Sequence, residues 1–167
     1  MVLPIIAYGA KVLRNACVDI DSSFNDLDIL LDNMFETMYS ASGVGLAAPQ
    51  INKSLRLFII DTSPFKDEES PDHVICKKVF INPRVLSSSG DSWAFNEGCL
   101  SIPDVREDVN RLSNINVEYY DEKFNKITES FSGLNARVIL HEYDHIEGIL
   151  FIDKITPLRK RMIKGKL

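Results

Sequence analysis

Apolar residues recur at three- and four-residue steps between about Asn25 and Tyr39, at Leu27, Leu30, Leu31, Met34, Phe35 and Met38, which predicts an amphipathic helix. Asp21, Ser22 or Ser23 would cap its start, and Gly43 lies near its stop. A second helical pattern runs from about Gly133 to Glu147, with Leu134, Val138, Ile139 and Ile146 as its apolar surface, Ser132 before it and Gly148 after it. LRLFII at 55–60 reads as a strand, and Val79–Ile81 as a short one ended by Asn82-Pro83. NINVEYY at 114–120 partly alternates and can pair through the turn DEKFNK with Ile127–Phe131. The charged, turn-rich stretch Thr62–Lys78 reads as a surface loop. Thr156-Pro157 supplies a cap and first-turn pair for a short basic helix at about 157–166. These patterns predict an α+β fold of short antiparallel strands around an internal helix.

At 167 residues, 45% hydrophobic and 26% charged, the chain has the size and composition of a single domain spanning 1–167, which excludes collagen-like and disordered readings. No secretory leader and no run of 18 apolar residues is visible, so no membrane partner is expected. The net charge of −5 argues against wrapping nucleic acid with the whole surface. It hides an asymmetry: Lys154, Arg159, Lys160, Arg161, Lys164 and Lys166 put six positive charges in 154–167, leaving −11 on residues 1–153. That tail either balances an acidic body or docks on a polyanion. Three cysteines, Cys17, Cys76 and Cys99, fit free thiols or metal ligation better than disulfides.

The sharpest chemistry lies in His141-Glu142-Tyr143-Asp144-His145. On a helix, four-residue spacing puts both imidazoles on one face, able to bind one ion, with Glu142 beside them as a proton acceptor for an attacking water. Two solvent-facing histidines are the plain alternative, and the apolar flanks argue against it. Catalysis needs a third donor and an open position. His73 is one possibility, although it borders a polar loop. Cys99, in Asn96-Glu97-Gly98-Cys99-Leu100-Ser101, is the stronger one, since a glycine beside the thiol and Pro103 beyond it suit a fixed loop. Asp144 would orient a ligand histidine or form a structural salt bridge. Gly43-Val44-Gly45-Leu46-Ala47-Ala48-Pro49-Gln50 combines two glycines with a thin alanine wall, and it is not a phosphate loop. Beside a hydrolytic ion, the Gln50 amide and the Leu100 N–H can both donate to an oxyanion.

GVGLAAPQ at 43–50, EGCLS at 97–101 and HEYDH at 141–145, in that order and with IEGILF at 146–151 following, resemble the three signature motifs of peptide deformylases. The resemblance spans most of residues 1–160. It implies a compact α+β metallohydrolase that removes the N-formyl group from the initiator methionine of new bacterial or organellar proteins, here expected in the bacterial cytoplasm. Carried over position by position, it implies Cys99, His141 and His145 as metal ligands and Glu142 as the water-activating base, with Gln50 and the Leu100 amide on the formyl oxygen. Val44, Gly45 and Leu46 would line the peptide, Arg106 would edge the groove, and Leu134 and Val138 would flank the methionine pocket. Gly43, Glu97, Arg111 and Asp144 would support the site, with Glu97 and Arg111 as an ion pair. The implied ion is one divalent metal, Fe2+ in cells, with Zn2+, Ni2+ or Co2+ tolerated. The implied protein is a monomer whose basic C terminus contacts ribosomes transiently.

Two other readings make different demands. A zincin-like metallopeptidase would use a third ligand other than Cys99. A noncatalytic metal-containing ribosome-binding module would need a fourth protein ligand in place of an open position.

Overall fold

The computed structural model describes residues 1–167 in full. Five strands, β1 (Gly45–Ala47), β2 (Leu57–Asp61), β3 (Lys77–Cys99), β4 (Ile102–Tyr120) and β5 (Lys126–Ser132), form one antiparallel sheet in the order β1-β2-β3-β4-β5. Helix α1 (Leu27–Ser40) precedes the sheet, α2 (Gly133–Ile146) follows β5 directly, and α3 (Pro157–Ile163) lies near the C terminus. The expectation of an α+β fold with antiparallel pairing holds.

The alternation in β2 explains the layering. Successive side chains of a strand point to opposite faces, and every residue of β2 is buried. Leu57 and Ile59 join Met34 and Met38 of α1 in one cluster, while Phe58 and Ile60 join Ala136, Val138, Ile139 and Ile146 of α2 in another. The sheet is thus covered on both faces, which is why its central segment reads as an unbroken apolar run rather than an alternating one. A third cluster packs Ile102, Val105 and Val109 of β4 against Leu150, Phe151, Ile152 and Ile163. No helix is long and apolar enough to cross a membrane.

Three expectations need correction. The strands are not all short: β3 and β4 run 23 and 19 residues. Asn82-Pro83 does not end β3, because the register shifts between Ile81 and Arg84 and Asn82 takes a φ of 51°. Such a bulge accommodates proline's missing N–H without ending the ladder. The Asn82 carboxamide also pairs with both backbone groups of Ile20, accepting at 2.7 Å and donating at 2.7 Å. Asp21, Ser22 and Ser23 do not cap α1. They form a tight turn of their own, in which Asp21 Oδ1 accepts the Ser23 N–H, and α1 begins after Asp26 in a left-handed conformation.

The exit from α2 is fixed by Gly148, at φ 78°. A Cβ there would lie 2.6 Å from the Arg14 carbonyl oxygen, so a side chain at this position is excluded by backbone rather than by a movable group. At the far end, Thr156 Oγ1 accepts the Arg159 N–H and Pro157 opens α3.

Candidate active site

Gly45 of β1, Cys99 at the end of β3 and the cavity-facing side of α2 converge on a cavity of about 470 Å³. Donor atoms of Cys99, His141 and His145 all lie within 4.8 Å of one another. Cys99 Sγ is 3.3 Å from His145 Nε2, close to the roughly 3.5 Å expected between a sulfur and a nitrogen bound to one tetrahedral ion. His141 Nδ1 is engaged by Glu97 Oε1 at 2.9 Å, which leaves Nε2 as its free donor.

Charge in this region is tightly accounted for. Glu97, buried on β3, receives four contacts: His141 Nδ1 on Oε1, Arg111 on both oxygens at 2.7 and 3.1 Å, and Arg137 on Oε2 at 2.8 Å. Burial alone would raise its pKa, but the donors from His141 and Arg111 hold it well below the usual carboxylate range. Arg111 also donates to Asp144 Oδ2 at 2.8 Å, so Asp144 forms a salt bridge rather than orienting an imidazole. Glu97 and Asp144 are therefore balanced by Arg111 and Arg137. What remains for binding is one cysteine sulfur and two imidazole nitrogens, a donor set that suits a single divalent transition-metal ion. The residues fit such an ion.

Glu142 lies 2% exposed on the wall of this cavity, and its Oε1 has no hydrogen-bond partner. Burial pushes its carboxyl up to about 7. It can occupy this place only because residue 45 is glycine: a Cβ on Gly45 would lie 2.7 Å from Glu142 Oε2. Burial also opposes charge on both imidazoles. At His141 the hydrogen bonds to Cys99 and Glu97 outweigh it and push the pKa up to about 10. At His145 burial, reinforced by repulsion from His141 and Arg111, holds the pKa well below its ordinary value.

Val44, Gln50, Leu100, Arg106 and Val138 line the cavity along with Gly43 and Gly45. The Gln50 Nε2 lies 3.6 Å from Cys99 Sγ. Arg106 sits at the mouth, donating to Asn96 Oδ1 at 2.8 Å and to the Asn96 carbonyl at 2.7 Å. Two residues fall elsewhere. Leu46 points to the opposite side of β1 and is buried in the α1 cluster, and Leu134 is outside the cavity lining. His73 is also outside it; its ring instead contacts Thr62 Oγ1 at 3.0 Å.

Several lining residues were not anticipated for the site, among them Phe65, Phe95 and Arg137. Arg137 is buried, stacks its guanidinium 4.5 Å from the Trp93 ring centroid, and donates to the Trp93 and Val109 carbonyls as well as to Glu97. Its signal in the sequence is its place four residues before His141, on the same helix face. Phe65 comes from the 62–78 segment, which is not a free surface loop. Thr62 Oγ1 donates to Asn135 Oδ1 of α2 and accepts the Cys76 N–H, while Asn135 Nδ2 donates to the Val74 carbonyl. So anchored, the segment sets Phe65 edge-on to Phe95, with ring centroids 6.1 Å apart.

Residues 2–161 match the family model described as polypeptide deformylase. A peptide deformylase of Christiangramia forsetii is 56% identical over the whole of this chain and 88% of its own length. Among solved structures, a peptide deformylase from Legionella pneumophila superimposes with a TM-score of 0.85 at 35% identity, covering 99% of this chain and 93% of that one. A plant peptide deformylase, PDF1B, gives a TM-score of 0.88 at 32% identity, covering 98% and 86%.

Proposed function

The chain belongs to the polypeptide deformylase family, and on that premise we propose how its residues share the work of hydrolysis. The enzyme is a metal-dependent hydrolase that removes the N-formyl group from formylmethionyl peptides and releases formate. The observation that carries the assignment of roles is a three-donor cluster with the unpartnered Glu142 carboxylate on the same cavity wall.

Cys99, His141 and His145 would hold the ion, which when bound would supply Lewis acidity and lower the pKa of water. Fe2+ is the proposed resident ion, and a thiolate with two imidazoles also accommodates Zn2+, Ni2+ or Co2+. Glu142 accepts a proton from the attacking water and returns it to the leaving peptide amine. A carboxyl with a pKa near 7 suits both halves of that task. Gln50 Nε2 and the Leu100 N–H donate to the formyl oxygen as negative charge develops on it. The Gly45 backbone aligns the peptide, Val44 and Val138 wall the methionine side chain, and Arg106 edges the groove. Glu97, itself held by Arg111 and Arg137, fixes the His141 ring so that Nε2 faces the ion.

The proposed setting is the bacterial cytoplasm, with the chain acting as a monomeric catalytic domain. Arg159 is tied to Glu107 at 2.8 Å and Lys160 lies 3.7 Å from Asp153, whereas Arg161, Lys164 and Lys166 are exposed and make no ion pair, and these three support a transient contact with ribosomal RNA. The zincin-like reading loses support because Cys99 supplies the third donor. The noncatalytic reading does so because the cluster contains three donors rather than four.

Matched formyl-Met and acetyl-Met peptides provide the test. The site must fit a formyl hydrogen where acetyl carries a methyl group, so kcat/KM should fall steeply for the acetyl peptide. Equal rates, or cleavage of internal peptide bonds without deformylation, would overturn the assignment.

A further inference from the structure

The Gln50 side-chain amide is held at both ends. Its Oε1 accepts the Ala47 N–H at 3.0 Å, which settles the orientation of the group, because a backbone N–H can only donate. Its Nε2 donates to Ser101 Oγ at 3.1 Å. Both residues are 1% exposed, so neither end exchanges its partner for bulk water. Ser101 is itself fixed from behind, since its carbonyl accepts the Tyr8 N–H at 2.8 Å. The same N-terminal stretch reaches the other loop through the Ile6 N–H, which donates to the Gln50 carbonyl at 2.7 Å. Residues 6–8 therefore stitch the loop carrying Gln50 to the loop carrying Cys99 and Leu100.

A carboxamide nitrogen has two hydrogens in the amide plane. With one spent on Ser101 Oγ and the oxygen spent on Ala47, rotation of the amide is blocked and the second hydrogen has a fixed direction, toward Cys99 Sγ at 3.6 Å. We propose that Ser101 is a positioning residue for deformylation: its hydroxyl, on a residue whose carbonyl is held by the Tyr8 N–H, locks the Gln50 amide so that its second N–H, directed at Cys99 Sγ in this structure, is aimed where the oxyanion forms beside the ligand cysteine. This rests on the reading of Gln50 as an oxyanion donor. Preorganised donors contribute because they need no reorientation as charge develops. An amide released from Ser101 still donates, but it must first be ordered.

A double-mutant cycle on Ser101→Ala and Gln50→Ala separates the possibilities. Gln50→Ala should lower kcat about 10²–10³-fold, the loss typical of one oxyanion donor. Ser101→Ala should lower kcat by roughly 10-fold with KM within about twofold, since the donor is loosened rather than removed. In the Gln50→Ala background the same Ser101→Ala change should cost less than about twofold, because there is no amide left to hold. Metal content and thermal unfolding, measured on all three variants, separate lost chemistry from lost structure. An undiminished kcat in Ser101→Ala, with Gln50→Ala impaired, overturns the positioning role alone. An equal loss from Ser101→Ala in both backgrounds also overturns it, assigning the residue to packing. An undiminished kcat in Gln50→Ala overturns the underlying reading of Gln50.

Discussion

The floor of the cavity and its mouth use arginine in opposite ways. On the floor, Arg137 lines the cavity and Arg111 lies behind it, both buried, and between them they satisfy Glu97, Asp144 and two strand carbonyls. At the mouth, Arg106 lies exposed and is held by Asn96 alone. Moving a floor residue strands buried charge, which is costly, whereas moving Arg106 exchanges a protein partner for water at little cost. The floor is therefore built to keep one geometry for the chemistry. The mouth, where exposed Arg106 and the half-buried Phe65 line the same cavity, can adjust to different peptides.

The sharpest way to test this division is at Glu142. Glu142→Gln keeps the size of the side chain and removes only the proton acceptor, so kcat should fall about 10²–10⁴-fold. Metal content and formyl-peptide binding should be retained. Near-wild-type turnover by the metal-loaded variant would show that the base lies elsewhere. Glu97→Gln probes the floor one step further from the reaction. His141 would lose its anionic partner, and the affinity for metal should drop about 10–100-fold in a chelator competition. Two buried arginines would be left short of negative charge, so denaturant unfolding should show a loss of about 3–5 kcal/mol. Unchanged stability would mean that the floor tolerates rearrangement as readily as the mouth. Phe65→Ala, at the mouth, should leave kcat and metal content as they are. For formyl-Met peptides with an apolar second residue, KM should rise about 2–10-fold, in line with the roughly 0.5–1.5 kcal/mol of an aromatic contact. A fall in kcat as large as that of the floor variants would erase the distinction.

What could be read from the sequence follows the same divide. His141 and His145 were legible because helical spacing alone fixes which side chains share a face, and Cys99 because the flanking Gly98 and Pro103 mark a shaped loop. Arg137 was only half legible: its place one helical turn before His141 puts it on the same face, but its burial depends on the tertiary positions of Trp93, Glu97 and Val109. Phe65 was less accessible still, since its place depends on Asn135 binding the 62–78 segment from a helix some 70 residues later. Asn82-Pro83 misled for a local reason. Proline usually ends a strand, and the register shift that absorbs it here leaves no mark in composition.

The sheet's neighbour-to-neighbour order also bears on how the molecule is assembled. Each strand pairs with the one made just before it, so most of the sheet can zip up through hairpins with modest loop-closure entropy, the kind of topology that folds quickly. Two of the three metal donors, however, sit on α2, beyond the last strand, and must fold back over the finished sheet to meet Cys99. The ion can be chelated by all three donors only after that docking, which makes metal capture a late event in folding and a seal on a nearly completed chain.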